Sequence, residues 1–327
     1  MQELPVLLLT WRRPDATQKV LEVLRKVKPL ILYVASDGPR HQSDWDAIRC
    51  TRATIEKLVD WPCLVKKRYL SSNLGPGLSQ SSSIDWFFGE QIKGLILEDD
   101  CIPHPDLFPF CSELLNRYEM DMRVWTISGS NHQLGRRRGN ASYFFSRYHH
   151  SWGWATWRSR WQEYSQASQI WETLVSSTDA VNSLLDNLPS DLEAKYWMEK
   201  WTPLFVLSKP NWDYRWLLVC MANNGLTIIP NENLVENIGF GKDATHTTQL
   251  KQQGQLPERF FLRDHPICIY PNSQADQFTF DFHYGGLQLK KDRRFHNQIL
   301  RRLRLIVTNP MHYIRKINCY ARGKQNH

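Results

Sequence analysis

A chain of 327 residues with 42% apolar composition can build one large domain or two unequal ones, which excludes disorder as the default. Its net charge of +8 and pI near 9.1 point to anionic partners, and nucleotide diphosphates, nucleic acid and anionic membrane surface all satisfy that balance. The seven cysteines are scattered and form no Cys-x-x-Cys pair, which reads as reduced thiols in a cytoplasmic chain, and no apolar run approaches the roughly 20 residues that span a bilayer.

Pro5 to Leu9 is a continuous apolar run, expected to be a buried first strand, followed by the polar loop Thr10 to Asp15 and a helix marked by Val20, Leu21, Leu24 and Val27. Leu30 to Ala35 predicts a second strand closed by Ser36, Asp37, Gly38 and Pro39, with helical character from Ser43 to Val59. Cys63 to Tyr69 predicts a third strand, which leads into the loop Asn73, Leu74, Gly75, Pro76, Gly77. A helix follows, then a strand over Gly94 to Leu97. This alternation implies right-handed crossovers and an α/β fold whose mainly parallel central sheet is flanked by helices. Ligands of such sheets sit beyond the carboxyl ends of the strands, where Arg12, Arg13, Asp37, Asn73 and Glu98 to Asp100 collect. Loops after strands are also polar simply because they are exposed, and both readings stay open.

Asp106 to Tyr118 reads as a helix and Val124 to Ser128 as a strand, after which the pattern loses regularity. Tyr143 to Tyr148 precedes a Trp-rich turn, Ser151 to Trp157. Helices are expected through much of the stretch to Asn224, Leu226 to Ile229 forms a short strand, and Asn233 to His246 makes a glycine-containing loop. Leu300 to Tyr320 mixes Leu303, Leu305, Ile306, Val307, Ile314 and Ile317 with many bases, interrupted by Pro310. That pattern suits either peripheral contact with an anionic bilayer or a solvated basic face.

Glu98, Asp99 and Asp100 follow the apolar strand Leu95 to Leu97, so their carboxylates are held at the ligand-binding edge. Hard carboxylate oxygens suit Mn²⁺ or Mg²⁺, with Asp100 the preferred ligand, and a helix cap is the alternative. The adjacent His149 and His150 lack the spacing of a helical zinc site and point to a structural or surface role. Gly75-Pro76-Gly77 lacks the Lys and Ser/Thr of a phosphate loop, which argues against an ATPase.

Thr10-Trp11-Arg12-Arg13-Pro14, Ser36-Asp37-Gly38, Asn73-Leu74-Gly75 and Glu98-Asp99-Asp100 form an ordered series. It resembles the donor half of GT-A (nucleotide-diphospho-sugar transferase) glycosyltransferases and, more narrowly, the N-acetylglucosaminyltransferase I family. Trp152-Gly153-Trp154 resembles that family's Gly-Trp segment, Trp212-Asp213-Tyr214-Arg215-Trp216 its Trp-Asp-Asp-Trp segment, and Gly239 to His246 its late glycine and histidine loop, for a coverage of roughly residues 4 to 248. The resemblance implies that Asp37 recognises the uridine, Arg13 contacts the nucleotide or its phosphates, Asn73, Glu98 and Asp99 help bind the donor, Asp100 holds the metal, and Asp213 is the catalytic base. Asp213 stands in a segment that lacks the family's second consecutive Asp; pairing with Arg215 or capping the next helix are its other readings. His246 would touch the diphosphate or complete the metal shell, and Trp152 and Trp154 would wall the sugar site or pack as core.

The expected organisation is a catalytic domain over 1–248, with a donor half of about 1–130 and an acceptor half of about 131–248, then an extension over 249–327 with a basic tail. The expected activity is inverting transfer of a sugar, such as N-acetylglucosamine, from a UDP-sugar to a glycan or lipid-linked acceptor at the inner face of the membrane, with Mn²⁺ or Mg²⁺ as cofactor and no nucleic acid as partner. A nucleotidyltransferase would also use a parallel sheet and an acidic metal site, although Thr10 to Asp15 contains no glycine. A non-catalytic module binding carbohydrate or nucleic acid through aromatics and bases is the third reading.

Overall fold

The computed structural model describes the chain apart from residues 1–2, 178, 180–183, 185–187, 189, 210, 241–253 and 309–327, and apart from the side chains of 298–308. The chain divides into two compact units, Met1–Thr279 and Phe280–His327.

The first unit is built on an eight-stranded sheet of order β3-β2-β1-β4-β8-β6-β9-β7. Its opening half follows the apolar runs: β1 (Val6–Thr10), β2 (Ile31–Ser36), β3 (Leu64–Tyr69) and β4 (Lys93–Glu98) pair in parallel, with Leu8 opposite Val34 on one side and Leu97 on the other. Helices α1 (Pro14–Val27), α2 (Trp45–Leu58) and α3 (Gly75–Glu90) form the crossovers. Helix α1 begins on Pro14, carries Arg25 and Lys26 in its last turn, buries Val20, Leu21 and Leu24, and ends at Lys28 in the left-handed region, φ 55°.

The second half mixes directions. Strand β6 (Val124–Ser128) is parallel to β9 (Leu226–Pro230), while β7 (Tyr143–Ser146) and β8 (Trp154–Trp157) run antiparallel to their neighbours. The segment expected as a Trp-rich turn therefore holds a central strand. Strand β8 inserts between β4 and β6, and successive side chains face opposite cores. On one face Ala155 and Trp157 join Leu8, Val34, Leu97 and Phe108 of helix α4 (Leu107–Arg117). On the other, Trp154 joins Ile84 and Phe87 of α3 and Trp212, Trp216 and Val219 of the helix Trp212–Ala222. A sheet covered on both faces by helices explains why its strands read as continuous apolar runs.

A small antiparallel pair, β5 (Cys101–Pro103) with β10 (Val235–Asn237), sits directly after the acidic run and brings Ile238 N–H to the Asp100 carbonyl at 2.8 Å. In the second unit, a long helix runs over Gly286–Thr308, and Lys290 pairs with Asp281 at 2.6 Å. Among the described residues no helix is long and apolar enough to cross a membrane.

Candidate functional site

Strand order reverses at β1, with β2 on one side and β4 on the other, and the loops beyond their carboxyl ends separate to leave a crevice. The crevice encloses a cavity of ≈ 80 Å³ and is lined by Trp11 and Arg13 after β1, Asp37 and Arg40 after β2, Asn73 after β3, Ser79, Gln80 and Ser83 of α3, and Glu98 and Asp99 after β4.

Asp37 is buried, and its carboxylate organises the neighbouring loop. Oδ1 accepts from Gly38 N–H at 2.8 Å and Leu74 N–H at 3.0 Å, and Oδ2 accepts from the Asn73 amide at 2.9 Å. Asn73 also donates to the Gly38 carbonyl at 2.9 Å. Gly38 is required by close approach, since a Cβ there would lie 2.4 Å from the Ser72 carbonyl carbon. A carboxylate accepts about four hydrogen bonds, so Asp37 retains one acceptor position for a ligand.

The acid run is packed against one guanidinium. Arg13 Nη1 donates to Asp99 Oδ1 at 3.3 Å and is ion-paired with Asp100, while Trp11 N–H donates to Asp99 Oδ2 at 3.1 Å. Glu98 accepts from the Gln80 amide at 3.1 Å. Burial pushes the Glu98 carboxyl well above its ordinary range, reinforced by the charges of Asp100, Asp99 and Asp213 and opposed by Arg13. Burial and the Asp100 charge raise Asp99 to about 7 against the pull of Arg13. Three acids facing one cation leave negative charge uncompensated in a low-dielectric crevice, and hard oxygen donors in that condition fit a divalent cation. Asp100 is 7% exposed, and a Cβ on Gly239 would lie 1.9 Å from its Oδ2, so the loop after β10 closes one side of this carboxylate.

Asp213 lies in the first turn of the helix Trp212–Ala222, whose cap is Asn211, with Oδ1 accepting from Tyr214 N–H. Asn211 is the N-cap, and Asp213 Oδ1 accepts the same Tyr214 N–H at 3.0 Å. Arg215 turns to the Leu204 carbonyl and lies 4.6 Å over the Phe205 ring. The helix Trp212–Ala222 packs through Trp212 and Trp216 against Ile84 and Phe87 of α3, which lines the crevice, and the charge of Asp213 is felt at Glu98.

Trp154 corrects an expectation. It is fully buried, stacked on Trp212 at 5.6 Å and edge-on to His149 at 4.7 Å, so it is a core residue and cannot wall a sugar site. Trp152 is partly exposed two residues before β8, with its ring 5.0 Å from His132 and 6.0 Å from Phe240. His149 and His150 are buried, and burial holds the His149 imidazole well below its usual value, so it is neutral. His246 lies outside the described residues.

Sequence reasoning missed Arg40, Gln80 and Arg52. Arg52 reaches from α2 to the carbonyls of Ser36, Asp37 and Leu70 at 3.3, 3.3 and 2.8 Å, joining the loops after β2 and β3. Arg40 could have been read from its place after the Asp37-Gly38-Pro39 turn at the same sheet edge. Gln80 and Arg52 sit inside helices and carry no comparable signal.

No protein-family model and no curated protein matches the sequence. Three solved structures illustrate what the chain is similar to. Apo UDP-glucose pyrophosphorylase is 8% identical, over 69% of this chain and 90% of that one, with a TM-score of 0.35. A 4-diphosphocytidyl-2C-methyl-D-erythritol synthase from Anaerococcus prevotii is 10% identical, over 53% of this chain and 78% of that one, with a TM-score of 0.31. A mannosyltransferase from Pyrobaculum calidifontis, in complex with GDP-Man and Mn²⁺, is 12% identical, over 48% of this chain and less than half (45%) of its own, with a TM-score of 0.31. Likeness this distant assigns no activity, and none of the three is an N-acetylglucosaminyltransferase.

Proposed function

We propose that the crevice binds a nucleotide sugar and that the chain is an inverting GT-A glycosyltransferase, transferring a sugar such as N-acetylglucosamine from a UDP-sugar to a glycan or lipid-linked acceptor. The observation that most supports this reading is that Asp213, on a helix from the second half of the chain that packs against α3, bears electrostatically on Glu98 of the crevice. Asp37 and Asn73 would take the base and ribose, and Arg13 would take phosphate oxygens. Trp152 would flank the sugar and His246 the diphosphate. Glu98 and Asp99 would hold the donor end of the site, with Asp100 holding Mn²⁺ or Mg²⁺. When bound, that ion supplies positive charge to the leaving diphosphate.

Asp213 would accept the proton of the acceptor hydroxyl as its oxygen forms the new bond to the anomeric carbon. The bond from that carbon to the diphosphate breaks on the opposite face, and the electron pair leaves with the nucleotide, so configuration inverts. Arginine side chains near the diphosphate favour this departure electrostatically.

The test is nucleotide release from UDP-, GDP- and CMP-sugars with Mn²⁺ or with EDTA. Asp213→Asn should lower kcat by about 10²–10⁴-fold while donor still binds, and Asp100→Ala should lose the metal response. Turnover indifferent to chelation and to both substitutions would sink the mechanism. Nucleotidyl transfer, which would also use a parallel sheet and an acidic metal site, is the competing reading. It predicts pyrophosphate release from UTP and a sugar 1-phosphate.

A further inference from the structure

Arg13 and Arg40 line the crevice, and Arg12 lies beside its Trp11, with its guanidinium carbon 4.4 Å from that ring; Arg12 and Arg13 are neutralised within the protein. Arg13 is paired with Asp99 and Asp100. Arg12 Nη1 meets Asp44 Oδ1 at 2.6 Å, and the other oxygen of Asp44 accepts the N–H groups of Arg40 and His41 at 3.0 and 3.1 Å. Burial pushes the Asp44 carboxyl upward, but those N–H groups and Arg12 outweigh it and hold Asp44 below its ordinary value, so it stays a charged partner for Arg12.

Arg40 differs. Among the described residues no carboxylate pairs with its guanidinium, and the side chain is exposed. The guanidinium is nevertheless placed, with its central carbon 4.3 Å from the centroid of the Trp11 ring. Trp11 is itself fixed, since its indole N–H donates to the Gly38 carbonyl at 2.9 Å and its backbone N–H to Asp99. Stacking on an aromatic face orients a guanidinium without using its five N–H donors or cancelling its charge.

We propose that Arg40, seated on Trp11, is an anion-binding subsite that takes the diphosphate of the nucleotide; the inference rests on the nucleotide-binding reading above. An unpaired guanidinium offers two parallel N–H donors to phosphate oxygens and breaks no internal ion pair in doing so. Arg13 must share itself with Asp99 and Asp100 to make the same contact. Arg40 therefore governs how much tighter a nucleoside diphosphate binds than its nucleoside.

Calorimetric titration of the full-length protein with UDP, GDP and CDP, and with uridine, guanosine and cytidine, tests this. Arg40→Gln should weaken the diphosphate that wild type binds best by about tenfold or more and leave its nucleoside within about twofold. Arg40→Lys, which keeps the charge without the fork, should fall between. Arg49→Gln, on the outer surface of α2 beside Asp46, should match wild type, and circular dichroism checks that each variant is folded. Equal diphosphate affinity in wild type and Arg40→Gln would overturn the subsite while leaving nucleotide binding intact. A wild type that binds none of the three diphosphates would overturn the subsite and the nucleotide reading together.

Discussion

Buried acids in this chain are held by few cations, and Asp276 shows the cost outside the crevice. It sits in the short helix Ser273–Phe278, accepts from Ser146 Oγ at 2.6 Å and from Arg147 at 3.3 Å, and ties that helix to the end of β7. Burial raises its carboxyl to about 6, although Ser146 and Arg147 pull the other way. An acid with a raised folded-state value binds more protons folded than unfolded between about pH 4 and 6. Its contribution to stability is therefore full below that window and declines as pH rises through it. Asp276→Asn removes the titration. The stability of the variant relative to wild type should rise by up to about 3 kcal/mol between pH 4 and pH 7.5, measured by urea unfolding. A pH-independent difference would show that Asp276 ionises as freely in the fold as in water. Residues of this kind are poorly legible in a sequence, because nothing about Asp276 marks it as buried. Asp37 and Asp100 were legible because each ends an apolar strand. Arg40 was lost because the motif was read as ending at the turn before it.

At the level of elements, the opening β1 to β4 half was legible because each strand is an uninterrupted apolar run and each connection carries turn residues or helical periodicity. Strand β8 was hidden by its own composition. Ser151 and Gly153 signal a turn, and four residues are too few to show alternation when both faces are buried. Residue type alone could not place Trp154, since aromatics serve cores and sugar sites equally. Its placement predicts that Trp154→Ala lowers unfolding free energy by about 3–5 kcal/mol. A normal unfolding midpoint combined with weakened donor binding would restore the sugar-wall assignment.

For the molecule as a whole, the charge of +8 is concentrated late in the chain, where Lys290, Lys291, Arg293 and Arg294 open the last helix. The peripheral membrane contact proposed for residues 300–320, of which 309–320 lie outside the described residues, predicts salt-sensitive sedimentation of the full-length protein with phosphatidylserine-containing vesicles. Vesicles of phosphatidylcholine alone should leave it in the supernatant. Equal recovery with both lipids would remove the membrane from the account. The insertion of β8 between β4 and β6 also has a consequence for biosynthesis. Strand β4 leaves the ribosome well before the segment that will cover its outer edge, and the roughly sixty residues between them take about 3–12 s at ordinary translation rates. During that interval the nascent chain presents a bare, apolar strand edge beside the crevice, so this edge is where a holdase would engage the growing polypeptide and where two nascent chains would first adhere.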